Sequence, residues 1–180
     1  MYKFSKIVYT KRKNRRYFIM YETAFSKDGF IINQGVFTDL PFGKYPSSEN
    51  GCGWIAAYNY LKLQNKPADM EKIRTQLAHT LFLGGKSGMS VALLSLYLRF
   101  FSHCKIGFHI HLPNTAAKLY IPSGILMYHT GKSFHFIVIQ RKNKGQYRFL
   151  NGIYGEEQDI RTIKNFLKEH CNFPLLFMIY

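Results

Sequence analysis

The apolar pattern passes from helical to strand-like spacing near Lys105, and that change constrains the fold more than any other feature. From Cys52 to about Leu63, the apolar residues Ile55, Ala56, Tyr58, Leu61 and Leu63 are compatible with a helix largely buried on one side. Asn65 and Pro67 suit its end. Asp69 is an N-cap candidate for a second helix reaching about Phe82, with Glu71 and Lys72 in its first turn. LGGKSG then breaks the chain, and Val91, Leu93, Leu94, Leu96, Tyr97 and Leu98 predict a third helix from about Met89 to Phe101. Beyond Lys105 the pattern is that of strands. Lys105–His111 alternates in character, Gly124–Tyr128 is apolar and Phe134–Gln140 is nearly continuously apolar. Tyr147–Leu150 follows across an Asn-Lys-Gly turn at 143–145. A helix near Ile160–Glu169 and a strand near Pro174–Tyr180 close the chain. Helices first and strands later predict an α+β fold with an antiparallel sheet, not alternating βαβ units.

Before this change, residues 16–21 (RYFIMY) and 30–37 (FIINQGVF) are rich in β-branched and aromatic residues and predict two strands. The intervening TDLPFGKYPSSEN, residues 38–50, predicts a loop. The expectation is a single domain over 1–180, with a helical part over about 51–102. The sheet part covers about 105–180 together with the N-terminal strands.

Composition narrows the class. Hydrophobic residues make up 47 %, with 16 Phe and 13 Tyr, which excludes a disordered chain. No apolar run approaches the ~20 residues needed to span a bilayer. The opening MYKFSKIVYTKRKNRRYF has no apolar core of a secretory signal, and Cys52, Cys104 and Cys171 are too few for a disulfide framework. A reduced, cytoplasmic protein is expected. The net charge of +15, from 25 Lys and Arg against 10 Asp and Glu, would attract nucleic acid, an anionic membrane or an acidic partner. The densest basic clusters are Lys11, Arg12, Lys13, Arg15 and Arg16, then Arg141, Lys142 and Lys144. Both sit among Asn or Gly between expected strands and read as solvated hairpin turns.

Against this background SENGCGWIAAYNYL, residues 48–61, places Cys52 between two glycines where loop turns into helix. A thiol there meets the positive end of the helix dipole and the free N–H groups of the first turn. Both favour the nucleophilic thiolate, and the same N–H groups could hold an oxyanion. A thiolate needs a base. His135 stands at the start of the strand HFIVIQ, and Asn151 closes the next strand, QYRFLN. In a hairpin the outer ends of adjacent strands meet, so Asn151 could orient the imidazole through a side-chain hydrogen bond.

The order Cys, His, Asn, with NGCGWIAAYN, HFIVI and FLNG at the three positions, resembles the papain-like cysteine peptidases. It is most similar to the branch of bacteriocin-leader peptidase domains. The likeness runs from about Thr38 to Asn151. It implies a nucleophile at a helix start packed on an antiparallel sheet, a Cys52–His135–Asn151 triad, an acyl-enzyme, a peptide or protein substrate and no cofactor. Two departures stand out. The leader peptidases usually carry Asp where this chain has Asn151. Papain-like enzymes also place an oxyanion-hole Gln six residues before the cysteine, where this chain has Pro46. Asn50 and Gln34 are the nearest substitutes; Asn50 is preferred because it lies beside Cys52, and its other role would be to cap the same helix.

Other residues carry less chemistry. His129 could serve as base but enters a Gly/Ser loop. His109 and His111 share one face of a strand, yet no Cys-x-x-Cys or His-Glu-x-x-His pattern completes a metal site. The run Gly84, Gly85, Lys86, Ser87, Gly88 has the wrong spacing for a phosphate loop and reads as a turn. The reading is a cysteine hydrolase, with deamidation and acyl transfer sharing its acyl-enzyme. Its rival is an inactive papain-like protein that binds peptide or nucleic acid through its basic surface.

Overall fold

The computed structural model describes residues 20–85, 88–116, 118–152, 156–157, 159–171, 173 and 175–180. Ser47–Asn50 form a short helix (α1), Gly51 continues with φ −78° and ψ −7°, and Cys52–Leu63 form α2, over the residues expected. Every residue from Gly53 to Leu61 is buried, so α2 is enclosed on all faces and not only on one. A helix can be enclosed in this way when its outward face is apolar and its polar groups find partners. Those partners come from the chain before it. Trp54 Nε1 donates to Ser47 Oγ at 3.1 Å, and the Tyr58 hydroxyl donates to Gly29 O at 3.3 Å. Asn59 accepts from Ile31 N–H at 2.8 Å and donates to Ile31 O at 2.7 Å.

The Asn59 contact explains why 30–37 is not the strand that its composition predicts. A side-chain amide occupies both ladder groups of Ile31, which makes only an isolated bridge to Phe25. Gln34–Val36 then form a 3₁₀ turn capped by Asn33, whose Oδ1 accepts from Gly35 N–H at 3.1 Å. Of residues 16–21, only Met20 and Tyr21 are described; they lead into a 3₁₀ turn at Glu22–Ala24, not a strand. The expected loop at 38–50 holds α1 and a small hairpin, β1 (Pro41–Phe42) with β2 (Tyr45–Pro46).

Asp69 caps the next helix, α3 (Met70–Ala78), by accepting from Lys72 N–H at 3.0 Å. It stops short of Phe82. Ser90 caps α4 (Val91–Leu96), which loosens into a π-helical turn at Tyr97–Phe101. There follow β3 (Phe108–His111), α5 (Pro113–Ala116), β4 (Ser123–His129), β5 (Phe134–Asn143) and β6 (Gln146–Leu150). The expected helix at 160–169 begins later, because Ile160–Arg161 pair with β6 as β7 and Thr162 caps α6 (Ile163–His170). The last strand is β8 (Leu176–Ile179).

The sheet runs β3-β8-β4-β5-β6-β7 and every pair is antiparallel, as an α+β chain requires. Alternation along β4 and β5 divides the core. Ile125, Met127, Phe136 and Val138 pack with α2, whereas Leu126, Tyr128, Ile137 and Ile139 pack with Ile163 and Phe166 of α6. The first basic cluster lies outside the described residues. In the second, Arg141 covers the Tyr120 ring at 3.9 Å, while Lys142 and Lys144 are exposed at the β5–β6 turn. Among the described residues no helix is long and apolar enough to cross a membrane.

Asn59→Ala would leave the buried N–H and C=O of Ile31 unpaired, so it should lower stability by about 2–4 kcal/mol in urea unfolding.

Candidate active site

The site forms where β6 stops short of its neighbour. The β5–β6 ladder ends at Val138 opposite Leu150, so β6 does not cover the outer edge of β5 from Phe134 to Ile137. His135 stands on this stretch. Asn151 follows immediately after β6 with φ +65°, a left-handed conformation that Asn tolerates better than most residues. The turn aims its main-chain carbonyl at the imidazole, and His135 Nε2–H donates to Asn151 O at 2.9 Å. A carbonyl only accepts, so this bond sets the tautomer and leaves Nδ1 for the thiol.

Cys52 opens α2 against the same edge, hydrogen-bonded to His135, with the N–H groups of Phe136 and Gly53 directed at its sulfur. Burial alone would push the thiol up. The His135 hydrogen bond and charge, with the two N–H groups, outweigh burial and bring it below the ordinary thiol value. Burial likewise pushes His135 down, but the Cys52 hydrogen bond and charge and the Asn151 carbonyl raise it overall. Both shifts run in the same direction, favouring transfer of the proton from the thiol to the imidazole. Both residues are half-buried.

The two glycines around Cys52 serve close approach, not unusual dihedrals. A Cβ on Gly51 would lie 2.4 Å from Ser47 O and 2.9 Å from Trp54 Nε1, closing the gap in which the Trp54–Ser47 bond forms. A Cβ on Gly53 would lie 2.2 Å from Met89 Cε, which packs on the first turn of α2.

The side chain of Asn151 does not do what the sequence suggests. The main-chain carbonyl holds His135, while the side chain faces Gln34. Asn151 Nδ2 donates to Gln34 Oε1 at 2.8 Å, and Asn151 Oδ1 accepts from Gln34 N–H at 3.1 Å. Gln34 Nε2 in turn donates to Ser48 O at 3.0 Å, so this amide is engaged on both sides. Nor does Asn50 cap α2. Gly51 holds the N-cap position without a side-chain bond, and Asn50 Nδ2 is buried with no hydrogen-bond partner among the described residues. It lies under Gly85, where a Cβ would come within 2.4 Å of it. Pro46 ends β2, as the sequence requires.

His129 is engaged elsewhere, its Nδ1 accepting from Gly131 N–H at 3.0 Å and its ring packing on Phe134 and Phe173. His109 and His111 stack with Tyr180, and His111 Nε2 lies 3.1 Å from the Tyr180 hydroxyl. Among the described residues no three His, Cys, Asp or Glu side chains gather as a metal site would need. Cys104 is buried and its thiol is pushed up by that burial. Cys171 donates to Phe173 O at 3.3 Å.

No family model matches the sequence, and no curated protein matches it. Among solved structures, the peptidase domain of Streptococcus ComA, a bifunctional ABC transporter involved in a quorum-sensing pathway, aligns with a TM-score of 0.47. The alignment has 11 % identity and covers 73 % of this chain and 91 % of that one.

With Cys104 and Cys171 replaced by serine, iodoacetamide should alkylate Cys52 with an apparent pKa below the ordinary ~8.5 of a free thiol. In His135→Ala the counter-charge is gone while burial remains, so the apparent pKa should rise to that value or above it. Alkylation rates measured from pH 4 to 10 check both.

Proposed function

We propose that the chain is a papain-like cysteine hydrolase, a peptidase by preference, in which Cys52 is the nucleophile and His135 the general acid–base. One observation carries this reading: a half-buried thiol at a helix start is hydrogen-bonded to an imidazole whose other nitrogen is already fixed by a carbonyl. Structural cysteines pack; they do not need an oriented base. The resemblance of the three motifs in sequence order supports the same choice, and so does the α+β architecture. The chain would then be one papain-like domain.

In this reading the Cys52 thiolate attacks the substrate carbonyl carbon, forming a C–S bond and a tetrahedral oxyanion. His135 passes its proton to the amide nitrogen, the C–N bond breaks and an amine leaves. Water then gives a proton to His135 as its oxygen attacks the thioester, and loss of sulfur releases the acid. Asn151 orients His135 through its main chain. The oxyanion would be met by the Cys52 N–H and by Asn50 Nδ2, an unspent donor two residues from the sulfur. Because Gly85 covers Asn50 Nδ2, that donor reaches a substrate only if the turn at Phe82–Gly85 moves. Amines or alcohols in place of water would make the same site an acyltransferase, and a side-chain amide substrate would make it a deamidase.

The rival, an inactive fold that binds peptide or nucleic acid through its basic surface, draws on Pro46 in place of the oxyanion Gln and on the engagement of Gln34. It gives no account of the Cys52–His135 pair.

A peptide library incubated with the protein and read by mass spectrometry separates the two. Wild type should generate new termini that Cys52→Ala does not, and His135→Ala should lose about 10³-fold or more in rate. The pH profile should be a bell: activity rises through the lowered thiol pKa and falls through the raised imidazole pKa, because both charged forms are needed. No new termini under conditions where Cys52 alkylates rapidly would leave the binding protein.

A further inference from the structure

The strap from Ile31 to Phe37 is bonded to the elements on both sides of the candidate site. It is anchored to the nucleophile helix, where Asn59 of α2 holds both main-chain groups of Ile31. It meets the short helix leading to Cys52, where Ser48 N–H donates to Phe37 O at 3.0 Å and Gln34 Nε2 donates to Ser48 O. It meets the base side at Asn151, which is 7 % exposed and bound to Gln34 through both atoms of its side-chain amide. Gln34 is thus the one residue of the strap whose side chain joins both halves of the site.

We infer that Gln34 is a positioning residue: its side-chain oxygen and its main-chain N–H together clamp the side chain of Asn151, so that the Asn151 carbonyl, and through it the imidazole of His135, is held in line with Cys52. This rests on the reading of His135 as the base of Cys52. The physical need is specific. A left-handed residue at φ +65° is free to return to commoner backbone unless its surroundings hold it, and a carbonyl just beyond a strand end has no ladder partner to fix its direction. The two bonds from Gln34, one from its main-chain N–H and one to its side-chain oxygen, supply that direction. Asn151 N–H and C=O follow its Cα, and its Cα follows a side chain bonded at both ends. Gln34 would therefore act neither as an oxyanion donor nor as a surface residue, but through Asn151 on a ring it need not touch.

The test is the pH dependence of Cys52 alkylation by iodoacetamide, in the background lacking Cys104 and Cys171. Wild type, Gln34→Met, Asn151→Gly, the double variant and His135→Ala would be compared, with urea unfolding of each. Met keeps the length of Gln and its main-chain N–H, so Gln34→Met cuts the side-chain bond of the clamp and leaves the other. Gly keeps both the carbonyl and an easy left-handed φ, so Asn151→Gly cuts both bonds. Asn151→Gly should raise the apparent thiol pKa by about one unit, an about tenfold slower reaction at pH below both values, and Gln34→Met should raise it by part of that. The double variant should do no worse than Asn151→Gly alone, which has no bond of the clamp left to lose. A depressed wild-type pKa that His135→Ala abolishes but Gln34→Met leaves alone would overturn the positioning role and spare the catalytic pair. An ordinary wild-type pKa indifferent to His135→Ala would overturn both. Should Gln34→Met fail to fold, the His135 Nε2–H proton resonance in Asn151→Gly decides: weakened protection supports the clamp, and wild-type protection overturns it.

Discussion

Everything in this protein is arranged around the burial of α2. A helix enclosed from Gly53 to Leu61 has no solvent to receive its polar side chains, and leaving one unpaired costs about 1–3 kcal/mol. Three of them take hold of a piece of the preceding chain: Trp54 of Ser47, Tyr58 of Gly29, Asn59 of Ile31. The irregular N-terminal segment owes its course to those bonds, not to a sheet. The same course brings Gln34 to the end of β6. The need to satisfy a buried helix thus also delivers the parts that surround its first residue.

The second constraint lies at the sheet edge. Because β6 ends opposite Val138, the N–H of Phe136 is directed at a sulfur instead of a neighbouring strand, and Asn151 is free to turn its carbonyl on His135. A main-chain acceptor differs physically from the side-chain orienter of the familiar triads. It cannot rotate away, ionise or be replaced by mutation of its own residue. It can only be misdirected, and direction here depends on the conformation of one left-handed residue.

Much of this was legible locally. The start and end of α2, the Asp69 cap and the β5–β6 hairpin each have a short-range signal, namely flanking glycines, a capping aspartate and an Asn-Lys-Gly turn. The hairpin alone brings His135 to Asn151 across 16 residues. The segment at 30–37 was misleading because β-branched and aromatic residues suit any buried extended chain, and what decides its pairing is Asn59, 28 residues away. That Asn151 would use its carbonyl had one readable sign: Asn151-Gly152 is a turn dipeptide, which favours left-handed backbone. Its partner Gln34, 117 residues distant, left no mark in the local pattern.

The span between Gln34 and Asn151 also bears on when the site is assembled. A ribosome that has exposed Cys52 has still to make His135 and Asn151, and until they are made the cysteine at the helix start has no imidazole beside it. Completion of β6 and capture of its end by the strap would then be the moment at which the parts meet. The arrangement is a property of the closed fold and not of the helix start alone.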